Sequence, residues 1–153
     1  MENKIITDSK IINKIIDKCN FCFVAMSDEN NIPYVLPFNF GYDGKFIYLH
    51  SALTGRKIDI LNKNNNVCVA FSTDEQLFNR DEDVACSYGM KYRSVIAFGK
   101  VKFVTDFEEK IEVLNKVMKK YTSKTFSYNI PAVNNVKTFI VEIESITAKE
   151  HRY

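Results

Sequence analysis

Short apolar segments separated by turn signals constrain the fold of this chain more than any other feature of its sequence. Three of them follow closely on one another: Phe21 to Met26, Ile32 to Phe40 and Lys45 to His50. The polar run at 27–31 and the Asp43-Gly44 pair separate them, as hairpin turns do. Three more strand-like segments follow at Val67 to Thr73, Tyr88 to Val104 and around Phe139, Val141 and Ile143. The pattern predicts six antiparallel strands.

Helical signals lie between and around these segments. Asp8 can cap a first helix that ends near Asn20, and a second helix is predicted from Gly55 to about Lys63. Thr105-Asp-Phe-Glu108 has the spacing of a capping box, and the apolar residues that follow it predict a third helix with one buried face. That face is predicted to hold Phe107, Ile111, Leu114, Val117, Met118 and Tyr121. Residues 74–87 and the segment containing Pro131 are predicted to be loops.

Six strands and three peripheral helices predict an α+β domain whose sheet closes into a small barrel. Periodicity does not choose among the barrel types. At 153 residues with 46% hydrophobic content, the chain is expected to be a single domain spanning 1–153.

Charge and hydropathy exclude several classes of function. Twenty-one basic and 19 acidic side chains leave a net charge of +2, too balanced for a nucleic-acid-binding domain. The apolar runs are too short to span a membrane, and no signal-peptide segment opens the chain. We expect a cytoplasmic protein without nucleic-acid or membrane partners.

Four cysteines occur, and Cys19 and Cys22 have the spacing of a redox pair or half of a zinc site. Because no second Cys-x-x-Cys exists, and because Cys22 and Cys68 lie in apolar strand-like runs, buried free thiols are the better interpretation. No metal site is predicted, and a structural disulfide is not expected in a reducing cytoplasm.

A pair of cations opens the second helix. Arg56 and Lys57 follow Gly55 directly, where free backbone amides and the helix dipole already favour an anion. These two side chains are either solvated charges or a phosphate site, and cations at a helix start are slightly unfavourable unless an anion is near. Pro33 and Pro37 remove ladder donors from the second strand, which is therefore expected to be irregular or to lie at an edge.

Residues 48–59 and 90–104, with the Pro-x-x-x-Pro segment at 33–37, resemble the FMN-binding split β-barrel proteins related to pyridoxamine 5′-phosphate oxidase. Within that superfamily they resemble the Nim-type nitroimidazole-resistance branch, and the resemblance spans about residues 20–147. It implies a six-stranded split barrel with FMN as cofactor. The residues that it implies for cofactor binding are Val35, Leu36, Pro37, Phe38 and Asn39 at the ring, His50 and Ser51 at the ribityl chain, Arg56 and Lys57 at the phosphate, and Ser94.

Ser94 stands where the oxidases carry a Gln, so that contact is expected to be shorter or lost. The chain ends at Tyr153 without the basic C-terminal segment of true pyridoxamine-phosphate oxidases, which makes that activity unexpected. In Nim-type proteins a His at the place of His50 faces the flavin pocket.

The resemblance therefore implies an FMN-dependent oxidoreductase that reduces a small planar acceptor, such as a nitroaromatic, with electrons from a reductant that the sequence does not identify. His50 is the candidate catalytic residue, since the pKa of His lets it supply protons near neutral pH. A homodimer with two equivalent flavin sites at the interface is also expected. The alternative is a flavin- or haem-binding carrier or sensor without turnover.

Overall fold

One antiparallel sheet dominates the computed structural model, which describes residues 3–153. Its eight strands are β1 (Asn3–Ile6), β2 (Cys22–Ser27), β3 (Pro33–Phe38), β4 (Gly41–Tyr42), β5 (Phe46–Ala52), β6 (Asn66–Phe78), β7 (Gly89–Val104) and β8 (Val136–His151). Their order is β3-β2-β6-β7-β8-β5-β4, and β1 pairs with the far end of β8. The ends of this path, β3 and β4, are adjacent in the chain but not hydrogen-bonded to each other, so the sheet does not close into the barrel that the sequence predicted.

Four helices surround the sheet: α1 (Ser9–Lys18), α2 (Arg56–Lys63), α3 (Phe107–Tyr121) and α4 (Ile130–Asn134). A short 3₁₀ turn spans Ala85–Ser87. Asp8 caps α1 as predicted, and its carboxylate accepts from the backbone amide of Lys10 at 2.8 Å. None of the helices in the described residues is long and apolar enough to cross a membrane.

The strand and helix counts differ from the predicted six and three. β1 and β4 are too short to show a period in the sequence, and each forms because a longer strand, β8 or β5, offers it a free edge. Likewise, β6 continues to Phe78 through a segment predicted to be a loop. A register shift between Thr73 and Gln76, with Asp74 at φ 59°, lets the strand bulge and then pair with β7 again.

Two helical details also differ from expectation. The cap of α3 is Asp106, whose carboxylate accepts from Glu109 N at 3.1 Å, rather than Thr105 of the predicted capping box. The predicted Pro131 loop instead contains the single-turn helix α4, which Asn129 caps with a 2.8 Å bond from Ala132 N.

β3 lies at the edge of the sheet, as its prolines predicted. Pro33 and Pro37 pair with Ser27 and Phe23 of β2, and the missing amide donors leave no gap in the sheet because the other side of β3 has no partner strand.

The core lies on one face of the sheet. Alternate residues of the central strands point into it, including Val24, Val69, Phe71, Val95 and Ala97, all of them almost fully buried. Helix α1 adds its apolar stripe of Ile12, Ile15 and Ile16. The buried residues of α3 are Val113, Leu114 and Val117, so Leu114 and Val117 confirm the predicted face while Tyr121, at 40% exposure, lies at its border.

The hydroxyl of Tyr121 joins α3 to the start of the sheet. It donates to the carbonyl of Asn20 at 2.7 Å and accepts from the backbone amide of Phe40 at 3.1 Å. Phe40 N lies in the break between β3 and β4, where no ladder partner is available. This side chain therefore holds the segment at which the chain passes from one end of the sheet to the other.

Candidate functional site

An open cleft of about 460 Å³ lies where the end of β3, the end of β5 and the start of α2 meet. Its lining residues are Leu36, Pro37, Phe38, Asn39, His50, Ser51, Ala52 and Lys57. β3 and β5 belong to opposite halves of the sheet path, so the sheet curls enough to bring their ends to one cavity. The fold thus brings together seven of the ten residues that the sequence singled out.

The start of α2 presents backbone donors to this cleft. Gly55 is its N-cap, with φ 130°, and no side chain caps the helix. Ile58 N is the first amide to bond within the helix, to Gly55 O at 3.0 Å, so the amides of Arg56 and Lys57 stand outside the helical ladder. A Cβ built on Gly55 would have no atom within 4 Å, so the space above the turn is open. This is the geometry in which an anion is bound.

Lys57 and Arg56 have different places around that helix start. Lys57 is half-buried and lines the cleft. The guanidinium of Arg56 instead lies over the ring of Tyr34, 4.6 Å from its centroid, and does not line the cleft. This cation–π contact is the reason for its position, and it ties α2 to β3.

His50 faces the cleft from β5 and is half-buried. Burial lowers its pKa from the ordinary 6.5, because the imidazolium form loses hydration there. Its ring has no hydrogen-bond partner among residues 3–153. Next to it, Ser51 Oγ donates to the carbonyl of Ala52 at 2.9 Å. A neutral imidazole with free ring nitrogens is therefore available to a ligand.

Val35 and Ser94 lie outside this cleft. Val35 is 57% exposed on the outer face of β3, opposite Ala25. Ser94 pairs with Ser72 of β6 and with Lys149, near the C-terminal end of β8. His50 instead pairs with Thr138, near the start of β8. Within one chain Ser94 is remote from the cleft, and its predicted cofactor contact stays a prediction that requires a second chain.

A second cleft of about 460 Å³ adjoins the first at Pro37 to Asn39. It is lined by Phe21, Phe23, Pro37, Phe38 and Asn39, the last three of which also line the first cleft. Sequence reasoning did not single out Phe21 and Phe23. The signal was present in β2, where Phe23 falls at an outward position between inward Cys22 and Val24.

The thiols of Cys19 and Cys22 are buried and protonated. Burial raises the pKa of Cys19 to about 11 and that of Cys22 to about 12. Cys19 Sγ donates to the carbonyls of Ile15 at 3.3 Å and Ser72 at 3.4 Å. All four cysteines are free, and within residues 3–153 no three His, Cys, Asp or Glu side chains group as a metal site.

The curled antiparallel sheet with few helices, and the cleft between its two ends, are the arrangement of a split-barrel protein. A family model described as pyridoxamine 5′-phosphate oxidase matches residues 8–150. The chain belongs to this family. Among curated proteins, comparison found no match.

Solved structures agree with this assignment. A candidate 5-nitroimidazole antibiotic resistance protein from Bacteroides thetaiotaomicron is 42% identical, with a TM-score of 0.87 over 97% of this chain and 87% of that one. Two more distant structures share the fold: a flavocytochrome from Azotobacter vinelandii (19% identity, TM-score 0.83, 97% and 70% coverage) and an FAD- and haem-binding protein from Mycobacterium smegmatis (16%, 0.83, 98% and 74%).

Proposed function

We propose that this chain binds FMN in the cleft between β3, β5 and α2 and transfers electrons from a reductant to a small planar acceptor such as a nitroaromatic. The observation that carries the proposal is the convergence of an uncapped helix start, Lys57 and His50 on one cleft. The similarity to a candidate 5-nitroimidazole resistance protein supports the choice of acceptor.

The residues of the cleft fit a flavin mononucleotide. The phosphate would lie at the start of α2, where the amides of Arg56 and Lys57 have no helical partner and the Lys57 ammonium is near. The flavin ring would lie along Pro37 to Asn39, with His50 and Ser51 between ring and phosphate. Relatives of this fold bind FAD and haem, which supports a flavin as the cofactor class.

A bound flavin supplies the electron transfer itself. Reduction of a nitro group to a nitroso group consumes two electrons and two protons and releases one water molecule. Among the polar side chains of the cleft, Ser51 already donates to Ala52 and Lys57 is assigned to the phosphate. His50 is therefore the group that can hold or pass a proton, at a ring nitrogen. We assign it the proton-donating role, and its lowered pKa implies that turnover improves as the pH falls toward that pKa.

A homodimer completes the proposal, because part of one sheet face, over β3, β2, β6 and β7, is accessible and has no charged side chain; Lys149, which pairs with Ser94, lies at its border. The residues that form this part of the face lie next to one another on the paired strands and are Phe23, Ala25, Val35, Pro37, Cys68, Ala70, Ser72, Ser94, Ile96 and Phe98. Phe98 is 53% exposed and Val35 57%, although both are large apolar side chains in the middle of strands. An apolar face of this extent is typical of a protein interface. In such a dimer we infer that the partner's Ser94 lies beside β3 of this chain.

Light scattering tests the dimer. Phe98→Lys introduces a charge into the face and should give a monomer at micromolar concentration. Ile130→Lys, at a 64% exposed position on α4, is the matched control and should leave the dimer intact. A wild-type monomer that is fully loaded with flavin would refute the dimer proposal.

The visible spectrum of the purified protein and the mass of its released cofactor test FMN binding. Turnover is tested anaerobically, by reducing the flavin and measuring its reoxidation by a nitroimidazole. His50→Gln should keep FMN and lose most of that reoxidation. A flavin-loaded wild type that no acceptor reoxidises would instead favour the carrier or sensor function.

The four free thiols fit our proposal of a cytoplasmic location.

A further inference from the structure

We propose that the acceptor binds in the cleft lined by Phe21, Phe23, Pro37, Phe38 and Asn39, and that this cleft selects uncharged planar acceptors over charged ones. The proposal rests on the function proposed above and names the acceptor class and the residues that choose it.

The position of this cleft makes it the natural place for an acceptor. It shares Pro37, Phe38 and Asn39 with the cleft proposed for FMN, so the two cavities adjoin at that segment. A planar molecule in the second cleft would therefore meet the flavin ring along the same three residues. Electron transfer requires such proximity, and the chain provides it without any rearrangement of the sheet.

The charge of the two clefts differs. The cofactor cleft contains Lys57 and the titratable His50, whereas none of the residues lining the acceptor cleft carries a formal charge. A charged ligand would lose part of its hydration there without meeting an opposite charge. None of the residues that line this cleft is basic, so a substrate phosphate has no cation there and a phosphorylated pyridoxamine is a poor fit.

Phe21 and Phe23 form a corner suited to a flat ligand. Their ring centroids are 5.4 Å apart and their planes meet at 80°. Both rings are accessible within one chain, at 48% and 43% exposure, partly because Phe23 faces only Ala70 and Pro37 on its neighbouring strands. Phe23 and Pro37 also belong to the face proposed for the dimer, so in the dimer the partner chain would form the outer wall of this cleft. An aromatic acceptor can stack on one ring while its edge meets the face of the other. The side-chain amide of Asn39, with no hydrogen-bond partner among the described residues, can donate to a nitro or carbonyl oxygen.

A pair of ligands with the same shape isolates the effect of charge. Oxidised, FMN-loaded protein is titrated with 4-nitrobenzamide, which is neutral, and 4-nitrobenzoate, which is anionic. Binding is read from the change in flavin absorption, which requires no turnover. We expect the amide to bind about tenfold more tightly or better, since an unpaired carboxylate is costly to desolvate.

Two variants test the aromatic corner. Phe23→Ala and Phe21→Leu should each weaken 4-nitrobenzamide binding, about five- to tenfold for the alanine variant, with FMN affinity within about twofold of wild type. Phe126→Ala is the control, because this phenylalanine is similarly exposed (42%) but lies after α3 and outside both clefts.

The proposal is overturned if the benzoate binds as well as the amide. It is also overturned if both corner variants bind the amide as wild type does, including the case in which Phe23→Ala changes only the oligomeric state. In those cases the proposed function still stands if 4-nitrobenzamide reoxidises the reduced flavin of the wild-type protein. Absence of FMN, or of any acceptor-dependent reoxidation in wild type, defeats the proposed function and this inference with it.

Discussion

Replacement of Lys57 by alanine is the most direct test of the proposed phosphate site. Lys57 lines the cleft at the first turn of α2, beside backbone amides that have no partner in the helix. A charge-assisted hydrogen bond to a phosphate contributes about 1.5–3 kcal/mol. Because Lys57 is only half-buried, solvent screening places it in the lower part of that range. We expect Lys57→Ala to raise the Kd for FMN about 10- to 30-fold.

Arg56→Ala should have a smaller effect. Its guanidinium is exposed and already occupied by the ring of Tyr34 at 4.6 Å, so less of its interaction energy is available to a phosphate. An increase in Kd of about fivefold or less is expected. The larger increase in Kd expected for Lys57→Ala than for Arg56→Ala follows from the structure and not from the sequence, in which the two cations are equivalent.

The assay compares FMN with riboflavin, which lacks the phosphate. Flavin fluorescence is titrated with flavin-free protein, and circular dichroism confirms that each variant is folded. Lys57→Ala should weaken FMN binding and leave riboflavin binding unchanged, so the preference for FMN shrinks by the same factor. Lys63→Ala is the matched control, since Lys63 lies on the last turn of α2 with its Nζ 2.9 Å from Glu29 Oε1. A folded Lys57→Ala protein with the wild-type preference for FMN would refute the phosphate site.

Three further predictions concern stability and thiol chemistry. Tyr121→Phe removes the hydroxyl that joins α3 to the break between β3 and β4, and it should lower the free energy of unfolding in urea by about 1–2 kcal/mol; an unchanged midpoint would contradict this role. Because burial lowers the pKa of His50 below its ordinary 6.5, the unfolded chain binds the proton first as the pH falls. Stability of the flavin-free protein should therefore decrease below about pH 6.5, and thermal melts should show a smaller decrease for His50→Gln. With the pKa of Cys19 raised to about 11 and that of Cys22 to about 12, neither thiol should react with a disulfide reagent at pH 8 in native protein, whereas exposed Cys86 should react at once; rapid labelling of all three would show that the burial is wrong.

The sequence alone was sufficient wherever the deciding interaction is local. Asp8 and the spaced isoleucines predicted α1, because capping and helical periodicity act within one or two turns. Pro33 and Pro37 predicted that β3 lies at an edge, since a missing amide excludes a residue from the middle of a sheet whatever surrounds it. Gly55 followed by two cations predicted an open helix start for the same local reason.

Tertiary structure decided what depends on distant partners. β1 and β4 form only because β8 and β5 leave an edge for them, and β6 extends past Asp74 because β7 continues beside it. Arg56 turned out to be engaged by Tyr34, a residue more than twenty positions earlier in the chain.

The second cleft is likewise a product of the whole fold. Phe21 and Phe23 meet Pro37 and Asn39 only because β2 and β3 pair at the rim of a curled sheet. Propensity and periodicity describe the neighbourhood of a residue along the chain, whereas packing brings together side chains that no local signal relates. For this reason the proposed phosphate site could be inferred from the sequence, whereas the proposed acceptor cleft could be inferred only from the folded sheet.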